Sequence, residues 1–185
     1  MTTLATDRFL LRKPQPSDLP AWTAFFRTPR ATWIGGGPEQ ADRAWRAFAG
    51  ILGHWDLRGY GFLTVESRDT GAPLGLIGPW CPEPWPEREI AWNLWDADRE
   101  GTGVMAEAGR AVLAHVFGDL GWDTAVSYVD PANARSAALA RRLGADEDPG
   151  APRPGGEVGR DTLVFRHRPG AETAPTPRAR KETTA

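Results

Sequence analysis

The stretch EREIAWNLWDADREGTGVMAEA, residues 87–108, changes its period in the middle. Its first half alternates: Glu87, Glu89 and Ala91 fall on one face of an extended chain and Ile90, Trp92 and Leu94 on the other, which predicts a strand from Glu87 to Trp95. Past Gly101 and Gly103 the apolar positions become Val104, Ala108, Ala111, Val112, His115 and Val116, which predicts a helix from about Val104 to Leu120. Two glycines one residue apart at a helix entrance let the backbone turn tightly and present its N–H groups outward. There the helix dipole favours an anion such as a pyrophosphate. A plain turn that merely starts a helix is the bland reading of the same residues.

Towards the N-terminus, Tyr60 to Ser67 and Pro73 to Trp80 read as two further strands, separated by the turn RDTG at residues 68–71. With Glu87 to Trp95 they form an antiparallel meander. Before them, Pro38 opens a helix with apolar positions Ala41, Trp45, Phe48, Ile51 and Leu52. A shorter helix carries Leu19, Trp22, Phe25 and Phe26 and has Ser17 and Asp18 as candidate N-caps. The first strand is Asp7 to Arg12, ended by Pro14 and Pro16. Towards the C-terminus, a strand Thr124 to Val129 runs into Asp130-Pro131, a pair suited to start the helix Ala132 to Leu143, which stops at Gly144. A Pro/Gly-rich loop, residues 149–159, precedes a last strand, Asp161 to Arg168. This order does not fit a doubly wound dinucleotide fold. It predicts an α/β (α+β mixed) domain over residues 1–168, with a mostly antiparallel mixed sheet of six to seven strands and helices on both faces. The tail, residues 169–185, has almost no apolar content and is expected to be disordered.

The chain has 185 residues and is 41% hydrophobic, enough for one core and a pocket lining. A net charge of −2 with scattered basic residues gives no footprint for nucleic acid. The single Cys81 cannot form an intramolecular disulfide and the opening residues lack a long apolar stretch, so a cytoplasmic protein with no membrane partner is expected. His54, His115 and His167 stand far apart in sequence with no carboxylate cluster around them, so no metal is expected.

From Glu87 to Ala145 the sequence resembles the core of the GNAT superfamily of N-acetyltransferases, in the branch of the ribosomal-protein N-terminal acetyltransferases. Gly101 and Gly103 match the two glycines of the family's phosphate-binding motif, and Glu107-Ala108 match the pair that follows. Asp130-Pro131-Ala132-Asn133-Ala134-Arg135-Ser136 and Leu143-Gly144 match a second family element. The opening DRFLLRKPQPSDLPAW, residues 7–22, resembles the family's first strand and helix. Two positions depart from the motif: Glu100 stands where Gln or Arg is usual, with Arg99 displaced by one, and Met105 stands where Gly or Ala is usual.

The resemblance implies the GNAT acyl-CoA fold and acetyl-CoA as co-substrate, bound by Arg99, Glu100, Gly101, Thr102, Gly103, Val104 and Met105 at the turn. It adds Asn133 and Ser136 at the next helix start. It implies a V-shaped slot between the strand before the turn and the strand Thr124 to Val129. Backbone groups of Trp92, Asn93 and Leu94 would there pair with the pantetheine arm and stabilise the thioester oxyanion. Glu89 is the candidate base, against the alternative of a solvated strand residue or an ion-pair partner of Arg88; Glu83 and Glu87 are reserves. A tyrosine acid common in relatives falls here at Ala140, leaving Ser136, Tyr128 and Cys81 as stand-ins, and Cys81 reads better as a lone, partly buried thiol. Arg135, Arg141 and Arg142 are candidates for the adenosine phosphate. Trp80 and Trp85, with Trp33 opposite, are expected to wall an acceptor site for a cationic amine. The expected activity is acetyl transfer to a protein or peptide N-terminus. Small amines such as a polyamine or aminoglycoside are the alternative acceptors, and a catalytically silent acyl-CoA-binding module is a third reading. A monomer and a homodimer fit equally.

Overall fold

The computed structural model describes residues 2–40, 42–155 and 161–170. Eight strands form one sheet in the order β1-β2-β3-β4-β5-β6-β8-β7. They are β1 Thr3–Ala5, β2 Phe9–Arg12, β3 Leu63–Ser67, β4 Pro73–Trp80, β5 Glu89–Leu94, β6 Ala125–Val129, β7 Asp146–Glu147 and β8 Leu163–His167. Neighbours are antiparallel throughout except for β5 and β6, which run parallel. The expected fold class holds, with a larger sheet. The sequence pattern does not mark β1 and β7, because three and two residues are too few to show alternation.

Helices α1 Leu19–Phe26 and α2 Arg43–Arg58 cover one face, packing Trp22, Phe25, Phe26, Phe48 and Ile51 on Phe62, Leu76 and Trp95. Helices α3 Val104–Gly118 and α4 Ala134–Arg142 cover the other, where Val104, Ala108, Val112 and Val116 lie on Val65, Ile77 and Ile90. Burying a Val, Leu, Ile or Phe side chain stabilises by about 1.5–3 kcal/mol, so these two layers carry the fold.

Three local expectations are corrected. The buried stripe of α2 is Ala44, Phe48, Ile51 and His54, while Trp45 is 65% exposed; Ala41 lies outside the described residues. The helix starts at Arg43, and Pro38–Gln40 form a separate 3-10 turn, so the inward face is set one position away from Trp45. Asp18 makes no side-chain cap on α1. Its buried carboxylate receives Arg12 (2.8 and 2.9 Å), the Thr64 hydroxyl (2.8 Å) and the Gln15 amide (3.0 Å), tying β2 and β3 to the start of α1. Asp130 does not cap α4 either. Its Oδ1 accepts from the Ala132 N–H at 2.8 Å in a local turn, and Asn133 caps the helix by accepting from the Ser136 N–H at 3.1 Å. The expected disordered tail falls, from residue 171 on, outside the described residues.

Candidate active site

The parallel pair β5–β6 is joined only at its start. Val126 N–H donates to the Arg88 carbonyl at 2.9 Å, Glu89 is in register with Val126, and the Ser127 hydroxyl donates to the Ile90 carbonyl at 2.6 Å. Because that hydroxyl proton is committed to Ile90, Ser127 Oγ accepts from His167 Nε2–H at 3.0 Å. Burial lowers the His167 pKa to about 4, so the imidazole stays neutral and its proton sits on Nε2. Past Ile90 the two strands separate.

The carbonyls of Arg88 and Ile90 face β6, so strand alternation turns the backbone groups of Trp92 and Leu94 the same way, into the open wedge. Asn93 is in register with Leu76 on the β4 side, and its Oδ1 accepts from Trp95 Nε1 at 2.7 Å. Of the three residues expected to meet the pantetheine arm, Trp92 and Leu94 therefore offer N–H groups to the wedge.

At the wide end of the wedge stands the glycine turn. Gly101 (φ 75°) and Gly103 (φ 83°) both adopt the left-handed conformation, where a side chain would be strained. The bond from Glu107 N–H to the Gly103 carbonyl (3.0 Å) begins the α3 ladder, so the N–H groups of Val104, Met105 and Ala106 have no intrahelical acceptor, while those of Glu100 and Thr102 donate to the carbonyls of Ala97 (3.1 Å) and Arg99 (3.2 Å). The two motif departures do not block this entrance. Met105 is buried and its side chain passes beneath β4, where its Cε would sit 2.6 Å from a Cβ placed on Gly75. Glu100 is clasped between Arg30 (2.7 Å) and Arg135. Thr102 does not line the cavity. Its hydroxyl donates to the Arg99 carbonyl at 2.7 Å, and its carbonyl accepts from Arg8 at 3.1 Å.

One cavity of about 1060 Å³ runs from this turn through the wedge to the α1–α2 side of the sheet. Apart from Thr102, it is lined by every residue expected to hold the cofactor: Trp92, Asn93, Leu94, Arg99, Glu100, Gly101, Gly103, Val104, Met105, Asn133 and Ser136. Trp33, Trp80, Trp85 and Glu89 line it too. Trp92 Nε1 reaches Ser136 Oγ at 3.3 Å, linking β5 to the α4 entrance. Among the arginines, Arg135 and Arg142 line the cavity, whereas Arg141 pairs with Glu147 at 3.2 Å.

Glu89 lies at the vertex and is 7% exposed. Arg88 does not pair with it; that guanidinium stacks over Trp122. Its hydrogen-bond donors are Trp85 Nε1 at 2.7 Å and the Tyr128 backbone N–H. Burial pushes its pKa up to about 7, against the pull of those two donors. The reserve acids are committed elsewhere, Glu87 to Arg166 (2.7 Å) and Glu83 to Arg58 (2.6 Å). The tryptophans of the Pro-rich loop, Trp80 and Trp85, reach the cavity, and Glu83 and Glu87 do not line it.

Sequence reading missed Arg30. It donates to the carbonyls of Leu94 (2.8 Å) and Trp95 (2.9 Å) and to Glu100, bracing the end of β5 against the glycine turn. It sits in the 3-10 turn Pro29–Ile34, where no apolar period or motif singles it out. Cys81 does not line the cavity; its N–H donates to His54 Nε2 at 3.1 Å. Among the described residues, no group of three His, Cys, Asp or Glu could hold a metal ion, and no helix is long and apolar enough to cross a membrane.

Comparison with known proteins bears on this geometry. The family model of the acetyltransferase (GNAT) domain matches residues 8–146. An acetyltransferase from Agrobacterium tumefaciens is 38% identical over 91% of this chain and 95% of its own, with a TM-score of 0.82. A presumed GnaT-family acetyltransferase from Bordetella pertussis is 25% identical over 90% and 99%, with a TM-score of 0.73. RimL, a ribosomal L7/L12 α-N-protein acetyltransferase solved with coenzyme A, shares the fold at 17% identity over 90% and 98%, with a TM-score of 0.70. No curated protein matches the chain.

Proposed function

The chain belongs to the GNAT acetyltransferase family and is an acetyl-CoA-dependent N-acetyltransferase, and from this we propose that it acetylates the α-amine of a protein or peptide N-terminus by direct attack. The observation that carries the reading is Glu89: a buried carboxylate without a cationic partner among the described residues, at the vertex of the wedge, in the same cavity as the glycine turn.

The co-substrate supplies an activated acetyl thioester; the chain's own groups hold and aim it. Amides of the glycine turn and the α3 N-terminus suit the pyrophosphate, with Arg99, Arg135 and Arg142 around it. In the wedge, the N–H groups of Trp92 and Leu94 suit the pantetheine arm and the oxygen that becomes negative during attack. The amine must arrive unprotonated. An α-ammonium has a pKa of about 8 and a lysine-type ammonium about 10, so a base of about 7 takes the proton from the first over a far smaller free-energy gap. That match favours an α-amine over a polyamine or a lysine side chain, and RimL, which acts on an α-amine, is a precedent in this fold.

Attack forms the C–N bond, the proton passes to Glu89, and collapse of the tetrahedral species breaks the C–S bond. The sulfur leaves as a thiolate and takes its proton from solvent reaching the cavity; Tyr128 lines that cavity, but its hydroxyl donates to the Pro152 carbonyl at 3.3 Å, and burial, with the charges of Glu87 and Glu89, raises its pKa and makes it a poor proton donor. Cys81, outside the lining, favours direct attack over an acyl-cysteine route.

The test pairs two peptides, one with a free N-terminus and no lysine, the other N-terminally blocked with one lysine. Thiol release and peptide mass are followed at pH 7.5 with acetyl-CoA. Acetylation of the free α-amine is expected; modification of the lysine peptide alone would overturn the reading.

A further inference from the structure

The cavity continues past Glu89 into a lobe between α1–α2 and the sheet, and its chemistry restricts what can carry the amine. Its walls include Phe26, Ile51, Phe62 and Trp80, with Trp33 at the mouth and Gly50 on α2. Charged groups facing it are few. Arg30, from the Pro29–Ile34 turn, is committed to two carbonyls and Glu100, and Arg46, on α2, pairs with Asp42 at 3.3 Å. The acids among the described lining residues are Glu89, Glu100, which is clasped by Arg30 and Arg135, and Asp130, whose Oδ1 accepts from the Ala132 N–H before α4.

Gly50 is informative. It lies inside a helix of 16 residues, where Ala or Leu would be favoured by propensity. A Cβ added there would meet no atom within 4 Å, and the residue lines the cavity. The missing side chain is space on the acceptor side.

We infer that the acceptor is a primary amine carried next to a large apolar or aromatic group, which fills the lobe between Gly50, Phe62 and Trp80 while the amine points at Glu89. This rests on the reading of Glu89 as the base and deepens it by naming the substrate class. A second ammonium would lose its hydration against apolar walls, and the carboxylates beside the lobe's arginines, Glu100 and Asp42, are already taken by Arg30 and Arg46. An aromatic or branched side chain gains by the same transfer from water. The amine can belong to a peptide N-terminus or to a free arylalkylamine, since both present the same chemistry to the lobe.

The full chain with acetyl-CoA is assayed by thiol release against peptides starting with Trp, Phe, Leu, Ala or Gly, against tryptamine, and against spermidine. The bulky apolar starts are expected to exceed Ala and Gly by about 10- to 100-fold in kcat/KM, with spermidine lowest. Gly50→Leu, which improves helix propensity, is expected to erase that preference while CoA affinity stays within about twofold. Peptides acetylated alike whatever their first residue, with Gly50→Leu silent, would overturn this inference and leave α-amine acetylation standing. Tryptamine turned over without any peptide would support the lobe and overturn the peptide reading. Spermidine as the best acceptor would overturn both. Should nothing turn over, calorimetric titration of tryptamine and spermidine into the CoA-bound protein decides: equal or tighter spermidine binding sinks the inference.

Discussion

At the scale of single residues, Glu89, the proposed base, exacts a stability cost. Its pKa rises from 4.5 in the unfolded chain to about 7 in the fold because burial penalises the charged form. The folded state therefore holds this proton more tightly, and stability falls as pH climbs from 4.5 to about 7, by about 3 kcal/mol in all. Glu89→Gln keeps an oxygen for Trp85 Nε1 and the Tyr128 N–H but cannot ionise. Its melting temperature should exceed that of the wild type at pH 8 and converge with it near pH 4.5, measured by thermal denaturation across that range. Turnover should fall about 100-fold or more, and the wild-type rise in kcat through about pH 7 should vanish, with CoA affinity within a few fold. An unchanged profile would remove Glu89 from the mechanism. The place of Glu89 in its strand was legible in sequence. Its isolation was not, because Arg88, Glu83 and Glu87 become its neighbours or not only once Trp122, Arg58 and Arg166 are brought to them.

At the scale of elements, a glycine turn, a splayed pair of strands and a strut at their junction work as a unit. Ser127 and His167 hold β5 to β6 at Ile90, and Arg30 holds the far end of β5 to Glu100, so the wedge opens between two fixed points. Gly103 sits at φ 83°, and the nearest atom to an added Cβ is the Arg8 guanidinium at 3.5 Å, an ordinary contact. Gly103→Val would thus be resisted by backbone strain rather than by a clash. A loss of about 1–3 kcal/mol in denaturant unfolding is expected, together with a roughly tenfold weaker CoA complex by calorimetry as the turn's amides lose their aim. Wild-type CoA affinity in this variant would show that the left-handed turn is dispensable for binding.

For the molecule as a whole, the formal charge of −2 conceals a local excess of cations: Arg30, Arg46, Arg99, Arg135 and Arg142 line one cavity with Glu89, Glu100 and Asp130. A polyanionic thioester binding there stabilises the folded state by mass action, about 2.7 kcal/mol at a hundredfold excess over Kd. For a chain of 185 residues that corresponds to a rise in Tm of roughly 5–10 °C, readable by calorimetry with CoA present. The rise should shrink with added salt, because Arg99 and Arg135 are substantially exposed and screened. No shift at any CoA concentration would contradict the cavity's assignment to the cofactor.

What the sequence determined unaided was local: the switch from a two-residue to a helical period around Gly101 and Gly103, the meander before it, and a helix after Asp130-Pro131, though not its start at Ala134 under the Asn133 cap. Those features depend on neighbours within a few positions, and they were enough to read six of the eight strands, the four helices and the glycine turn. Tertiary structure decided the rest. That Met105 turns beneath Gly75, that Glu100 is clasped by Arg30 and Arg135, that β5 parts from β6 beyond Ile90, and that Gly50 opens onto a lobe all depend on residues distant in sequence. Side-chain direction and charge pairing are properties of packing, and no spacing along one chain encodes them.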